Sequence, residues 1–132
     1  MVPGSSWLVF GATDGVVRLF NVARAALSPY TIPCPLPAES TPPKHCFVMS
    51  VLSNPDDPNS VLIGYRSGDI FLWDMKQRKH VRRFTAPASG SRSVNEHHPL
   101  LTAVTWNPTG SYFASAYQNG LVLYWAVFFF SL

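Results

Sequence analysis

Charge is scarce in this chain. Asp, Glu, Lys and Arg supply 13% of its 132 residues, where the surface of a free-standing domain ordinarily carries about a quarter or more. The shortfall implies that some of the surface is made to lie against neighbours. Net charge is only +3, and the basic residues are spread out, which argues against a nucleic-acid partner. Cysteine is nearly missing as well: Cys34 and Cys46 are the only two. A disulfide framework would want more of them and a secretory leader, and Met1 to Ser6 has neither the positive nor the apolar region of one. A zinc site would need a second ligand pair, and His45-Cys46 with Cys34 has no partner at a matching spacing. The two cysteines therefore read as ordinary cytosolic thiols. No long apolar run is present: Leu121 to Leu132, the most aromatic stretch, falls short of the roughly twenty residues that span a bilayer. No window repeats apolar residues at helical spacing.

Catalytic groupings are missing too. There is no glycine-rich phosphate loop, no G-x-S-x-G elbow and no HExxH. Asp56-Asp57 lies on a turn between two prolines, where adjacent carboxylates diverge, so a shared acid–base role is not expected. His97-His98 lacks a third ligand at a usable spacing, and a histidine bonded within its own sheet is the simpler role. The chain is expected to be no enzyme and to need no cofactor or metal.

What is present is strand-forming sequence. Apolar residues make up 47% of the chain and aromatics 14%, enough for a core. The organising stretch is Val61 to Met75, VLIGYRSGDIFLWDM. Two runs of strand formers flank the turn Arg66-Ser67-Gly68-Asp69, in which Gly68 can take the positive φ that closes a hairpin. Trp73-Asp74 ends the second strand. The same pattern recurs at Trp7 to Val22 and at Ser111 to Val127, with turn glycines Gly15, Gly68 and Gly120 about fifty residues apart. Each glycine follows a turn former (Asp14, Ser67 or Asn119), and an aromatic (Phe20, Trp73 or Trp125) lies five residues beyond it. Three hairpins in register signal a repeat architecture.

Between the hairpins, Leu27 to His45 holds six prolines and is expected to be an extended surface loop. Phe47 to Leu52 is expected to be a strand, Ser53 to Ser60 a turn-rich connection, His80 to Thr85 a polar edge strand, and Leu101 to Trp106 a further strand. Asn107-Pro108-Thr109-Gly110 reads as a four-residue turn. The fold class is thus all-β and antiparallel.

With those residues in hand, the chain resembles a WD-repeat β-propeller, a ring of four-stranded blades. Thr102 to Trp125 carries the pattern: Pro108 and Gly110 in the turn after the innermost strand, Ser115 on the middle strand, Asn119-Gly120 in the tight turn, and Trp125 at the signature tryptophan. His97 falls at the family's histidine, with Glu96 in place of the preceding glycine and Asn119 in place of an aspartate. The resemblance implies a histidine–serine–aspartate–tryptophan hydrogen-bond chain, weakened here. Blade two keeps Trp73-Asp74 but aligns Lys44, not His45, with the histidine. On this reading about two to three four-stranded blades make up a partial propeller, with blade pieces at about 5–30, 46–86 and 98–127. A Pro-rich inter-blade loop takes 28–45 and a flexible loop 86–98.

A narrower resemblance is to the lethal giant larvae/tomosyn group of propellers, which regulate exocytosis and cell polarity. VLSNPDDPNSVLIGYRSGDIFLWDMKQRK has that group's NP turn, its LLIGY-like strand and its basic exit. ARAALSPYTIP and HPLLTAVTWNPTGSYFASAYQNGLVLYW are similar to the fungal members. The resemblance implies a non-catalytic scaffold that binds syntaxin-type SNARE proteins and a Rab GTPase, cytoplasmic and peripheral at the plasma membrane. A WD-repeat adaptor of a ubiquitin ligase or chromatin complex, or an inactive fragment, are the alternative readings. The densest charge cluster, Lys76, Arg78, Lys79, Arg82 and Arg83, is either a contact for acidic lipid or an acidic partner, or the charge that keeps an edge strand from pairing with another molecule. Phe128-Phe129-Phe130 does not fit the polar exit of a blade, and a truncated or mis-spliced end at 128–132 is expected.

Overall fold

A computed structural model describes residues 7–37, 45–87 and 99–127. His97 and the 128–132 end lie outside the described residues. Ten strands follow one another among the described residues: β1 Trp7–Gly11, β2 Val17–Asn21, β3 Ala26–Ile32, β4 Val48–Asn54, β5 Asp57–Tyr65, β6 Asp69–Asp74, β7 Lys79–Thr85, β8 Leu101–Trp106, β9 Tyr112–Tyr117 and β10 Val122–Ala126. They form three antiparallel meanders, β1-β2-β3, β4-β5-β6-β7 and β8-β9-β10. The all-β reading holds. Among the described residues, only the middle sheet has the expected four strands, and its neighbours have three each.

The sheets stand side by side, with β4 against β1 on one side and β8 on the other. Strand alternation sends successive side chains to opposite faces, and the middle sheet uses both faces for burial. Val61, Ile63, Tyr65, Phe71 and Trp73 join Val17 and Ile32 in a core shared with the first sheet. Leu62, Ile70, Leu72 and Phe84 join Leu101, Phe113 and Tyr117 in a second core shared with the third. A sheet covered on both sides reads as continuous apolar sequence, which is why VLIGY and IFLW show no polar alternation. Trp73 and Trp125 both lie on strands, in sheets packed against each other.

Two stretches differ from expectation. Leu27 to Ile32, expected in a loop, belongs to β3 despite Pro29. The register between β2 and β3 shifts between Arg18 and Phe20, so an irregular ladder passes over the proline on a sheet edge, where its missing N–H is tolerated. The turn-rich Ser53 to Ser60 shrinks to Pro55-Asp56, because side chains take over backbone partners. Asn54 Oδ1 accepts from the Asp56 N–H at 2.8 Å, Asp57 Oδ1 from the Asn59 N–H at 3.0 Å, and Asp57 Oδ2 from the Ser60 hydroxyl at 2.9 Å.

Candidate functional site

The repeated hairpins share one geometry. Gly15, Gly68 and Gly120 have φ of 82°, 98° and 87°, conformations that disfavour any Cβ. Each glycine N–H donates three residues back, to the carbonyls of Ala12, Tyr65 and Tyr117, at 3.1, 3.0 and 3.0 Å. The flanking turn formers cap their own turns: Asp14 Oδ1 accepts from the Val16 N–H and Asn119 Oδ1 from the Leu121 N–H, each at 3.0 Å. Asp74 does the same after β6, accepting from the Lys76 and Gln77 N–H groups at 2.9 and 2.8 Å.

The aromatics differ in what they bond. Trp125 Nε1 donates to Ser115 Oγ at 2.9 Å, and that hydroxyl donates to Tyr117 OH at 3.0 Å, a chain contained within the third sheet. The counterpart of Ser115 in the middle sheet is Ile63, which offers no acceptor. Trp73 Nε1 instead crosses to Tyr30 OH at 3.0 Å, and Tyr30 passes the bond to the Met75 carbonyl at 2.8 Å. Tyr65, the counterpart of Tyr117, also crosses, donating to the Gly15 carbonyl at 3.1 Å. Burial pushes the Tyr65 phenol well above its ordinary range. Phe20 has no polar atom and lies half-buried between Leu8 and Leu27, on a face of the first sheet where both neighbours are exposed.

Tyr30, Tyr65 and His80 were not singled out in the sequence, yet they tie the first two sheets together. His80 Nε2 meets the Pro33 carbonyl at 3.1 Å, so this nitrogen carries the proton, while Nδ1 is buried with no partner among the described residues. The ring packs edge-on against Trp73 and Phe71, with centroids 4.7 and 5.1 Å away. Desolvation by burial lowers the His80 pKa from 6.5, against a smaller opposing effect of the Pro33 carbonyl. A base depressed in the folded state binds fewer protons than when unfolded, so stability is complete above pH 6.5 and falls as pH drops below it. We expect the unfolding free energy from urea titrations to decline as pH drops from 7.5 to 5, with a slope for this one proton below about 1.4 kcal/mol per pH unit, and the decline to be flattened in His80→Gln. An unchanged slope in that variant would refute the assignment. Asp14, held low first by the Arg18 guanidinium, and Asp74, held low first by the Gln77 N–H, lose their contribution only below the ordinary value of 3.8.

The five cations of the basic cluster do not share one face. Lys76, Arg78 and Lys79 are exposed around the turn from β6 to β7, with the Arg78 guanidinium 4.7 Å over the Tyr30 ring. Arg82 and Arg83, successive on β7, point to opposite sides. Arg82 lies 4.5 Å over Phe84. Arg83 donates to Asp69 Oδ1 from Nε and Nη2 at 3.1 and 2.8 Å and sits 5.5 Å from the Phe71 ring centre. A cleft of about 330 Å³ opens between the first and second sheets, lined mainly by Trp7, Val9, Leu19, Tyr30, Val61 and Met75. Its walls are apolar and carry no acid–base pair. Among the described residues no group of three or more His, Cys, Asp or Glu side chains could hold a metal, and no helix is long and apolar enough to cross a membrane.

Antiparallel meanders set side by side, each hairpin turned at a positive-φ glycine and ended by an aromatic, are the architecture of part of a β-propeller. The family model for the WD domain, G-beta repeat, matches residues 89–126, so a WD40 repeat runs through the third sheet. An uncharacterized protein of Schizosaccharomyces pombe is 26% identical over 95% of this chain, and the chain spans 14% of that protein's length. WD40 repeats in general are units from which scaffolds for protein partners are built.

Proposed function

We propose that this chain contributes part of a non-catalytic scaffold that regulates vesicle docking, binding a syntaxin-type SNARE protein and a Rab GTPase at the cytoplasmic side of the plasma membrane. The observation that carries the reading is the middle sheet. Its NP turn, VLIGY strand and basic exit follow in the order seen in the lethal giant larvae/tomosyn group, and the exit leaves Lys76, Arg78 and Lys79 exposed at the rim. Cations there suit an acidic partner surface or acidic headgroups, each contributing about 1 kcal/mol near an anionic membrane.

The test uses the full-length protein that carries this segment. Immobilised syntaxin-type SNARE should retain it, and replacing Lys76 and Lys79 together with Glu, leaving Arg78 over the Tyr30 ring, should weaken its binding to phosphatidylserine vesicles at least about tenfold without lowering its melting temperature. No retention by the SNARE, with the protein folded, would remove the vesicle-docking reading.

A further inference from the structure

Cys34 follows β3 of the first sheet and Cys46 precedes β4 of the second, so the pair brackets the connection between two sheets. Both side chains are half-buried. The hairpin turn of the first sheet forms the floor beneath them. The Tyr65 hydroxyl reaches the same turn, donating to the Gly15 carbonyl at 3.1 Å. A Cβ built on Gly15 would stand 2.7 Å from Cys34 Sγ and 3.0 Å from the Cys46 carbonyl oxygen, so the glycine that permits a φ of 82° also leaves room for the sulfur. The Cys46 side is anchored in turn: the Ser67 N–H donates to the His45 carbonyl at 3.0 Å and the Arg66 N–H to the Phe47 carbonyl at 2.9 Å. The Cys34 sulfur and the Cys46 carbonyl thus converge on one point above the Gly15 turn, each residue fixed to a different sheet, and close approach of two such residues is what a disulfide demands.

We propose that Cys34 and Cys46 are a redox-sensitive dithiol that closes to an intramolecular disulfide across the joint between the first and second sheets. The oxidant is a small-molecule disulfide such as oxidised glutathione. One protein thiolate attacks a glutathione sulfur, the glutathione S–S bond breaks, and the departing glutathione thiolate takes up a proton. The second protein thiol gives its proton to solvent and attacks the protein sulfur of the mixed disulfide. That bond breaks, the protein S–S bond forms, and the second glutathione leaves as a thiol. Two protein thiols are oxidised and one glutathione disulfide is reduced to two thiols. Burial raises the Cys34 pKa, which slows its step at neutral pH, and holding both cysteines at the Gly15 turn offsets this by raising their effective concentration. In a cytosol held reducing, such a bond is transient and answers to oxidation. The proposal stands apart from the vesicle-docking reading.

The test takes the reduced full chain, treats it with oxidised glutathione, quenches with acid and maps the peptides by mass. The expected product is lighter by two hydrogens and yields a Cys34–Cys46 cross-linked peptide, favoured over the mixed disulfides by about tenfold or more when native and losing that preference in concentrated guanidinium. Cys34→Ser and Cys46→Ser should each stop at a single glutathione adduct. The oxidised wild type should melt roughly 5 °C higher, a rise missing from both variants. Native protein whose thiols stay reduced, or take up glutathione independently with no preference for the cross-link, overturns the proposal.

Discussion

Phe113→Ala is expected to cost about 3–5 kcal/mol, the range for deleting a buried aromatic, and so to consume a large part of the total stability of a domain. Phe113 is 0% exposed and is the hub of the second core. The Phe84 ring meets it edge-on at 4.9 Å, Trp106 at 5.7 Å, and Trp125 stacks at 6.2 Å. Those rings come from β7, β8 and β10, so one truncation removes contacts between the second and third sheets as well as within the third. A backbone held by cross-strand bonds on either side cannot close the cavity. Urea unfolding followed by tryptophan fluorescence gives the number, with Val122→Thr, 66% exposed, as a control expected to change stability by less than about 0.5 kcal/mol. A loss below about 1 kcal/mol for Phe113→Ala would mean that the two sheets do not pack as described.

A comparison of two glycines has the next largest expected effect. Gly110 and Gly120 both have positive φ, 74° and 87°, so alanine is strained by about 1–2 kcal/mol at either. Their surroundings differ. A Cβ at Gly120 meets nothing within 4 Å, whereas one at Gly110 would collide with the side-chain amide of Asn54. Asn54 is 7% exposed, and its Nδ2 donates to the Gly110 carbonyl at 3.1 Å, strapping β4 to the turn after β8. Displacing it leaves a buried polar group unsatisfied, a further cost of about 1–3 kcal/mol. Gly110→Ala should therefore lose roughly 2 kcal/mol more than Gly120→Ala in the same denaturant titration. Equal losses would show that the Asn54 strap contributes nothing to the joint.

The hairpins were legible because their determinants are local. A glycine three or four residues past a strand and an aromatic five beyond it lie close together along the chain, and Leu101 to Trp106 is bounded as its composition suggests. Pro29 misled because its effect depends on whether the neighbouring ladder needs its N–H, which no local rule reports. The cross-sheet bonds were hidden for a different reason. Trp73 meets Tyr30 and Tyr65 meets the Gly15 carbonyl across more than forty residues of chain, and neither pairing can be inferred until the sheets are stacked. A local sign was nonetheless there: Tyr65 and Tyr117 stand at the same offset from their turn glycines, too regular to be surface decoration. The basic cluster is instructive in the opposite sense. Five cations close in sequence suggested a single surface, but alternation along β7 divides Arg82 from Arg83, and each guanidinium settles on its own ring.

The middle sheet, apolar on both faces, has surrendered the usual safeguard against threading its strands one residue out of step. Sliding β5 past β6 by one position would trade greasy side chains for equally greasy ones, with little penalty from water. Alignment must then be enforced by the few polar or undersized residues: the Asn59 amide oxygen of β5 receiving the Lys76 N–H just past β6 at 2.8 Å, Asp69 of β6 clamped by Arg83 and by the Thr85 hydroxyl of β7 at 3.0 Å, and Gly64 of β5, where a side chain would strike Leu101 of the next sheet. These act as notches on an otherwise smooth rail. Changes there would yield a mis-threaded sheet that still buries its grease, an error of accuracy more than of strength.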